Sequence, residues 1–318
     1  MKHVIYPEKQ GTPTVDSDAG GTYAITNLTA DDSRKKVWKA IDGVQTATIR
    51  LPISANAEVI SLHKTNAETA ICSITLDSGE VQLTDGQPAV NLGGGLVKIP
   101  SAGHGLSQGD IALIYGTTNY DGVHTMPSQA AGDGTNFVIT ATYVAETFAA
   151  ADTVCQVVES TTHTLEGTRT YDRLWQEYTE QVAAHTATIK LTAATGETIE
   201  AGIVRAGDML TLRNPRRGVG EQPFDYSEVE ILHNGADYVV DGDVVREFSY
   251  SMDLTRDTEF RDLMDLYTHY KKNPFAMLIA DSLGDDNMYC VFGKLLSPPS
   301  GSHEYTEVPT NVSIREVV

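Results

Sequence analysis

Residues 244–280 read VVREFSYSMDLTRDTEFRDLMDLYTHYKKNPFAMLIA. The period changes twice along this stretch. Arg246, Phe248, Tyr250, Met252 and Leu254 alternate with Glu247, Ser249, Ser251 and Asp253, the period of two that marks a strand with one packed and one wet face. From Asp257 to Lys272 the spacing becomes three and four: Phe260, Leu263, Met264, Tyr267 and Tyr270 make one apolar stripe. Thr255 or Asp257 suits the N-cap, Glu259 and Asp262 suit the positive end of the dipole, and Lys271 and Lys272 suit the negative end. Asn273-Pro274 stops the helix, and Phe275–Ala280 reads as a buried strand.

No other segment has so long a helical stripe, so the helix at 257–272 stands alone among strands. Upstream of it, Asn234-Gly235 and Asp241-Gly242 are hairpin turn pairs between short apolar runs. Near the N-terminus, Val44–Ile53, Ala57–Thr65 and Thr69–Asp77 are short, β-branched and partly alternating, and predict an antiparallel meander. Lys35–Gly43 reads as a helical turn that sets Trp38 against that sheet. Residues 1–30 carry turn signals without a long period and read as an N-terminal arm or an extended opening strand, not a packed helix. Three glycines at 93–95 form a break. Beyond it, 96–159 is poor in lysine and predicts a compact β-unit of about five strands. The expected layout is an arm at 1–30, a first β-segment at 31–95, an inserted small β-barrel-like module at 96–159, and a main β-sandwich-like domain at 160–318. The fold class is mainly β, with one packed helix.

The chain has 318 residues, 23 Lys plus Arg against 43 Asp plus Glu, and a net charge of −20. A field of that sign repels phosphate backbones and argues against general nucleic-acid binding. The opening MKHVIYPEKQ has no apolar core of a signal peptide, and no run of about 18 apolar residues predicts a membrane span. Cys72, Cys155 and Cys290 are odd in number and far apart, which predicts buried free thiols rather than a disulfide framework or thiolate metal site.

Motifs for chemistry are missing. The sequence holds no GxGxxG opening a βαβ unit, no phosphate loop, no HExxH and no GxSxG. None of the nine histidines has metal-ligand spacing; His104 and His124 are the one pair placed to meet across the small unit, two imidazoles without a third ligand, and a turn hydrogen bond is the expected role of His104. Asp281, Asp285, Asp286 and Asn287 read as a solvated hairpin loop, with a hard cation as the other reading. Asp172, Glu177 and Glu180 lie beside Trp175 and Tyr178 without a sign of catalytic pairing. No catalytic residue, metal ligand or cofactor is assigned, and the protein is expected not to be an enzyme. Arg213, Arg216 and Arg217 form the one concentrated basic patch, paired with carboxylates of a neighbouring subunit or of the chain itself. If the protein binds sugars instead, Trp38, Tyr120, Trp175 and Tyr226 are the candidate stacking rings.

The string AGHGLSQGDIALIYGTTNYDGVHTM (102–126) resembles a small β-module common in structural proteins of tailed bacteriophages. The matching positions are His104, Gly105, Leu106, Gly109, Asp110, Tyr120, Gly122 and Thr125. The last third, FSYSMDL, a helix, PFAMLIADS and a closing IREV, resembles the core domain of distal tail (tail-tip ring) proteins. The resemblance implies a structural component of a tail tip or baseplate, a homo-oligomeric ring or adaptor, a hexamer by the family pattern, that joins other tail proteins. It implies assembly in the host cytoplasm and residence in the virion tail, with genome DNA passing through the lumen unbound and no membrane insertion. A carbohydrate-binding accessory module of the virion is the alternative.

Overall fold

The computed structural model describes residues 3–30, 37–53, 58–76, 81–127, 134–165, 173–178, 185–216, 219–225, 227–231, 237–240, 244–279, 289–301 and 306–317. It is mainly β, with curled antiparallel sheets and one α-helix among the described residues. The N-terminal strands are β1 (His3–Glu8), β2 (Thr14–Val15), β3 (Trp38–Lys39), β4 (Thr46–Ile53), β5 (Val59–His63), β6 (Ala67–Leu76) and β7 (Val81–Gln82). The middle holds β8 (Val90–Gly93), β9 (Leu96–Pro100), β10 (Ile111–Tyr115), β11 (Gly122–Thr125), β12 (Asn136–Thr140), β13 (Thr153–Thr164), β14 (Arg173–Glu177), β15 (His185–Ala193), β16 (Glu200–Ala201) and β17 (Ile203–Thr211). The last third holds β18 (Gly220–Asp225), β19 (Glu228–Ile231), β20 (Asp237–Val240), β21 (Val244–Thr255), α1 (Arg261–Tyr270), β22 (Phe275–Leu278), β23 (Cys290–Leu295), β24 (Ser300–Gly301) and β25 (Glu307–Glu316).

One sheet runs in the order β14-β5-β17-β1-β22-β23-β25-β21-β18, with β24 on β25. A second runs β11-β10-β13-β6-β15-β4-β2, with β7 on β13. The two face each other across a shared core: Ala47, Ile49 and Leu51 of β4 and Ile189 and Leu191 of β15 meet Ile60 and Leu62 of β5 and Val204 and Ala206 of β17. Strand alternation sends the intervening residues the other way. Val59 of β5, Ile203 of β17 and Trp175 of β14 join Ile5, Ala276, Leu278, Cys290 and Phe292 in a separate core. That inner core exists because the first sheet rolls up. Its terminal strand β14 lies over β23 and β25, where the Cys290 thiol donates to Leu174 O at 3.7 Å and Arg173 reaches Glu316. Strands buried on both faces explain the unbroken apolar run at Phe275–Leu278.

The helix packs on the outer face of β21, β22, β23 and β25. Phe260, Leu263, Leu266 and Tyr270 are buried there against Phe248, Met252, Phe275, Val291 and Ile314, while Met264 and Tyr267 are partly buried. A π-helical turn at Arg256–Phe260 precedes it. Neither Thr255 nor Asp257 caps through its side chain; the Glu259 carboxylate reaches back to accept the Thr255 N–H at 2.8 Å, half of a capping box.

One pair of readings is settled and three expectations change. The first 30 residues open on a strand rather than an arm: β1 sits between β17 and β22, and Val4, Ile5 and Leu28 are fully buried. Its polar-looking sequence hides a strand whose short apolar core, Val4-Ile5, is too brief to show a period. Trp38 lies on strand β3, paired with β16, rather than on a helical turn. The glycines at 93–95 are the turn of the β8–β9 hairpin, with φ of 80°, 62° and 79° that a side chain rarely adopts, and not a linker. The small unit does not begin at 96 or end cleanly at 159. Leu83 and Ala89 belong to its core, and β13 is shared, pairing β10 over Thr153–Val157 and β6 over Val157–Thr164. A cut at 159 divides one strand whose two halves serve different cores.

Candidate functional site

The residues that resemble the phage module are where the small β-unit is fastened. His104 is buried; its Nδ1 accepts the Leu106 N–H at 3.0 Å and its Nε2 meets Asn136 O at 3.1 Å, tying the 103–106 turn to β12. Gly105 and Gly109 have positive φ, and Asp110 accepts the Ser107 N–H at 2.7 Å to close the next turn. Tyr120 is buried with Leu83, Ile114, Phe137 and Phe148. Its hydroxyl donates to Val144 O at 2.5 Å and accepts the Val144 N–H at 2.9 Å. A buried phenol with both hydrogen-bonding roles satisfied is an anchor for segment 141–146. His124 meets Tyr120 O at 2.7 Å. No group of three or more metal-ligating side chains is present among the described residues.

The anchored segment is also where apolar surface is left open. Its Ala141 N–H bonds Gly95 O and its Glu146 O accepts the Ala89 N–H, so it runs between the two ends of β8. Tyr143 and Val144 on this segment and Val90 and Leu92 on β8 are between 38% and 47% exposed. β8 ends its three-stranded sheet and is exposed along its whole length. Exposed apolar side chains on a sheet's terminal strand and on a segment pinned by Tyr120 are the pattern of a docking surface.

The residues chosen from sequence for recognition lie elsewhere. Trp38, Tyr120 and Trp175 are 0%, 1% and 5% exposed, so their faces are closed to a sugar ring; Tyr226 lies outside the described residues. Trp175 donates its indole N–H to Glu177 at 3.0 Å. Arg213 pairs within the chain with Glu307 at 2.6 Å and Glu259 at 3.0 Å, and Arg216 pairs with Asp253. Of the two sources of carboxylate, the chain's own supplies both; Arg217 lies outside the described residues. Asp172, Glu180 and the 281–287 loop also lie outside them. The exposed cluster at Val90, Leu92, Tyr143 and Val144 has no sequence signature, because single apolar residues in strands usually point inward.

The rolled sheet encloses the densest set of ionisable groups. Glu316 takes Arg173 at 2.5 Å and Arg246 at 3.0 Å, with Glu221 at 3.7 Å from Arg246. Buried Arg205 donates to the carbonyls of Val204 and Thr29, lies 3.3 Å from Glu8, and stacks on Phe292. His63 is fully buried, with Ser61 Oγ at 3.3 Å and Cys290 Sγ at 3.9 Å from its Nε2. Burial holds the His63 pKa well below its ordinary value, and Arg173, Arg205 and Arg246 add to the shift. Burial pushes the Cys290 thiol up and the Cys72 thiol up to about 12, so neither is a thiolate nucleophile at neutral pH. With no opening to solvent at His63 or Cys290, this Ser-His-Cys contact is a packing feature.

Its pH dependence follows from the sign of that shift. The folded protein keeps His63 neutral, whereas the unfolded chain protonates it below about pH 6.5. Stability is full above that value and falls as the pH drops below it, at up to about 1.4 kcal/mol per unit. Urea titrations between pH 8 and pH 5 should show a steeper acid loss for the wild type than for His63→Gln, which has no ring to protonate. Parallel curves would mean that His63 does not titrate on unfolding.

No family model matches the chain, and no curated protein does. Among solved structures, chitosan-binding module 1 of a chitosanase/glucanase from Paenibacillus sp. IK-5 aligns over 63% of this chain and 94% of its own length, with 13% identity and a TM-score of 0.26. A selenomethionine-labelled point mutant of the same module aligns over 65% and 98%, with 13% identity and a TM-score of 0.27. A likeness of that size carries no argument about what this chain does.

Proposed function

We propose that the protein is a structural assembly component whose work is to hold other protein chains, and that it serves in the tail tip or baseplate of a tailed phage as a homo-oligomeric ring or adaptor. The observation that supports an assembly role is the exposure of Val90 and Leu92 on the terminal strand β8 and of Tyr143 and Val144 on the segment that Tyr120 pins. The phage setting rests on the sequence resemblance, whose residues His104, Gly105, Gly109, Asp110 and Tyr120 build the turns and anchors of the small β-unit that carries those side chains. The buried ionisable groups in the described residues are spent on structure, and the three candidate stacking rings that are described lie inside. A second copy or a neighbouring tail protein fits such a surface better than a sugar, which needs an open aromatic face. In this reading the protein assembles in the host cytoplasm and ends in the virion tail, with DNA passing through the lumen unbound.

Light scattering behind size exclusion, followed by negative-stain imaging, tests the reading. We expect a closed oligomer at tens of micromolar, and Leu92→Glu with Val144→Glu should weaken it or its binding to tail partners without lowering the melting temperature. A wild type that stays monomeric, ignores tail proteins and binds oligosaccharides would replace the assembly reading with the glycan-binding one.

A further inference from the structure

The outer face of the second sheet is polar and yet covered. Thr48 of β4, Ser73 and Thr75 of β6, and Thr186 and Thr188 of β15 lie between residues that face the shared core, and all five are buried. Their cover is the far end of the same sheet. β13 slips register between Val157 and Glu159, an irregularity of the kind that bends a strand, and β10 and β11 curl back over β6, β15 and β4. Polar contacts fasten the two sides. Lys190 Nζ donates to Asp121 O at 3.3 Å, and the Arg50 guanidinium lies 4.7 Å from the centre of the Tyr115 ring. Gly122 lets the ammonium in, because a Cβ there would stand 3.1 Å from Nζ.

A cavity of about 10 Å³ lies in this seam, lined by Thr48, Ser73, Thr188 and Lys190 from the sandwich and by Leu113 and Asp121, among others, from the small β-unit. That is about the least space that holds one water molecule. Thr188 is 2% exposed, and its hydroxyl has no hydrogen-bond partner among the described residues. Its neighbours on the same face are met: Ser73 pairs with the Ser160 hydroxyl at 2.9 Å, and Thr75 donates to Thr186 O at 3.1 Å. A buried hydroxyl left unmet costs free energy, so the one on the cavity wall points to an occupant.

We infer that this cavity is the binding site of one ordered water molecule, which joins the Thr188 hydroxyl to the Lys190 ammonium and holds the small β-unit on the sandwich. The size excludes larger ligands and the common anions, and the lysine on the wall repels a cation. Thr188 and Lys190 stand two apart on one face of β15, so a water between them has the two polar partners it needs. The ammonium has three protons and spends one on Asp121 O. Asp121 follows Tyr120, whose hydroxyl pins the segment that carries Tyr143 and Val144. The water therefore stands at the foot of the contacts that position those exposed side chains. The inference does not depend on what they bind.

Thr188→Val in the full chain tests it, because valine keeps the shape of threonine without its hydroxyl. With a water in place, the substitution costs that water a partner, and the urea midpoint falls. Without one, the substitution removes an unmet hydroxyl, and the midpoint rises. Crystal structures of both proteins should show a water within about 3.2 Å of Thr188 Oγ1 in the wild type and none at that place in the variant. Amide hydrogen exchange over residues 116–124 should quicken severalfold in the variant, since the Lys190 contact loses its support. A midpoint that stays or rises, or a wild-type crystal without that water, would overturn the site. A water at Thr188 with exchange over 116–124 unchanged in the variant would overturn its part in holding the small β-unit.

Discussion

Deleting residues 1–9 abolishes the cooperative unfolding transition of the molecule. β1 is an inner strand of the large sheet, with β17 on one side, from His3↔Thr211 to Glu8↔Gly207, and β22 on the other. Its removal leaves two strands with open hydrogen-bonding edges in the interior of the sheet. It also takes one apolar residue from each of two cores: Val4 packs with the helix layer and Ile5 with the core inside the roll. Each fully buried aliphatic side chain is worth about 1.5–3 kcal/mol, and a domain's whole margin is about 5–15 kcal/mol. Ile5→Ala is the graded form and should cost about 2–5 kcal/mol. Urea unfolding followed by the two tryptophans reads both. A truncated protein with the wild-type midpoint would show that β1 is a detachable arm after all.

Glu316→Gln destabilises the protein by about 3–5 kcal/mol, the cost of leaving a buried charge without its partner. Glu316 is buried and its two oxygens take three hydrogen bonds, from Arg173 Nη2 at 2.5 Å, Arg246 Nε at 3.0 Å and Arg246 Nη2 at 3.2 Å. The neutral amide leaves two guanidinium groups facing each other in the roll. Arg173 belongs to β14, so the loss falls on the strand that closes the roll. The matching surface change, Asp257→Asn, breaks an exposed pair with Arg256 and should stay within about 0.5 kcal/mol. Equal effects from the two substitutions would mean that the Glu316 cluster is wetter than its burial implies.

Both results turn on the rolling of one sheet, and that is where legibility in the sequence ended. The residues of β21, α1 and β22 announce their own structure because each has one periodic pattern over many residues. Phe248, Met252 and Leu254 alternate into the helix layer, and Leu263 and Tyr270 answer from the helix. β1 gives no such announcement. Its six residues hold only two fully buried aliphatics, Val4 and Ile5, one for each face, and its ladders depend on partners about 200 and 270 residues away. Glu316, the third residue from the end of the chain, is paired in the interior with Arg173 of β14, the first strand in the order of the large sheet.

The candidate surfaces divide the same way. Tyr120 stood out in the sequence as an aromatic, and the structure turns it inward, so that its neighbours Tyr143 and Val144 carry the exposure instead. Arg213 and Arg216 stood out as a basic cluster, and Glu259, Glu307 and Asp253 neutralise them from elements 37 or more residues distant.

The sequence by itself determined what depends on near neighbours: a mainly β chain, one amphipathic helix with its stop, buried thiols, and tight turns at glycine-rich positions. Those follow from side-chain period and backbone freedom, which act over a few residues. The tertiary structure alone decided which strand is central, which charges are sealed in the roll and which are free, and which aromatic faces meet solvent. Those depend on pairings between residues tens to hundreds apart, where the same local pattern serves an inner strand or an edge, and burial is settled only by what packs on the other side.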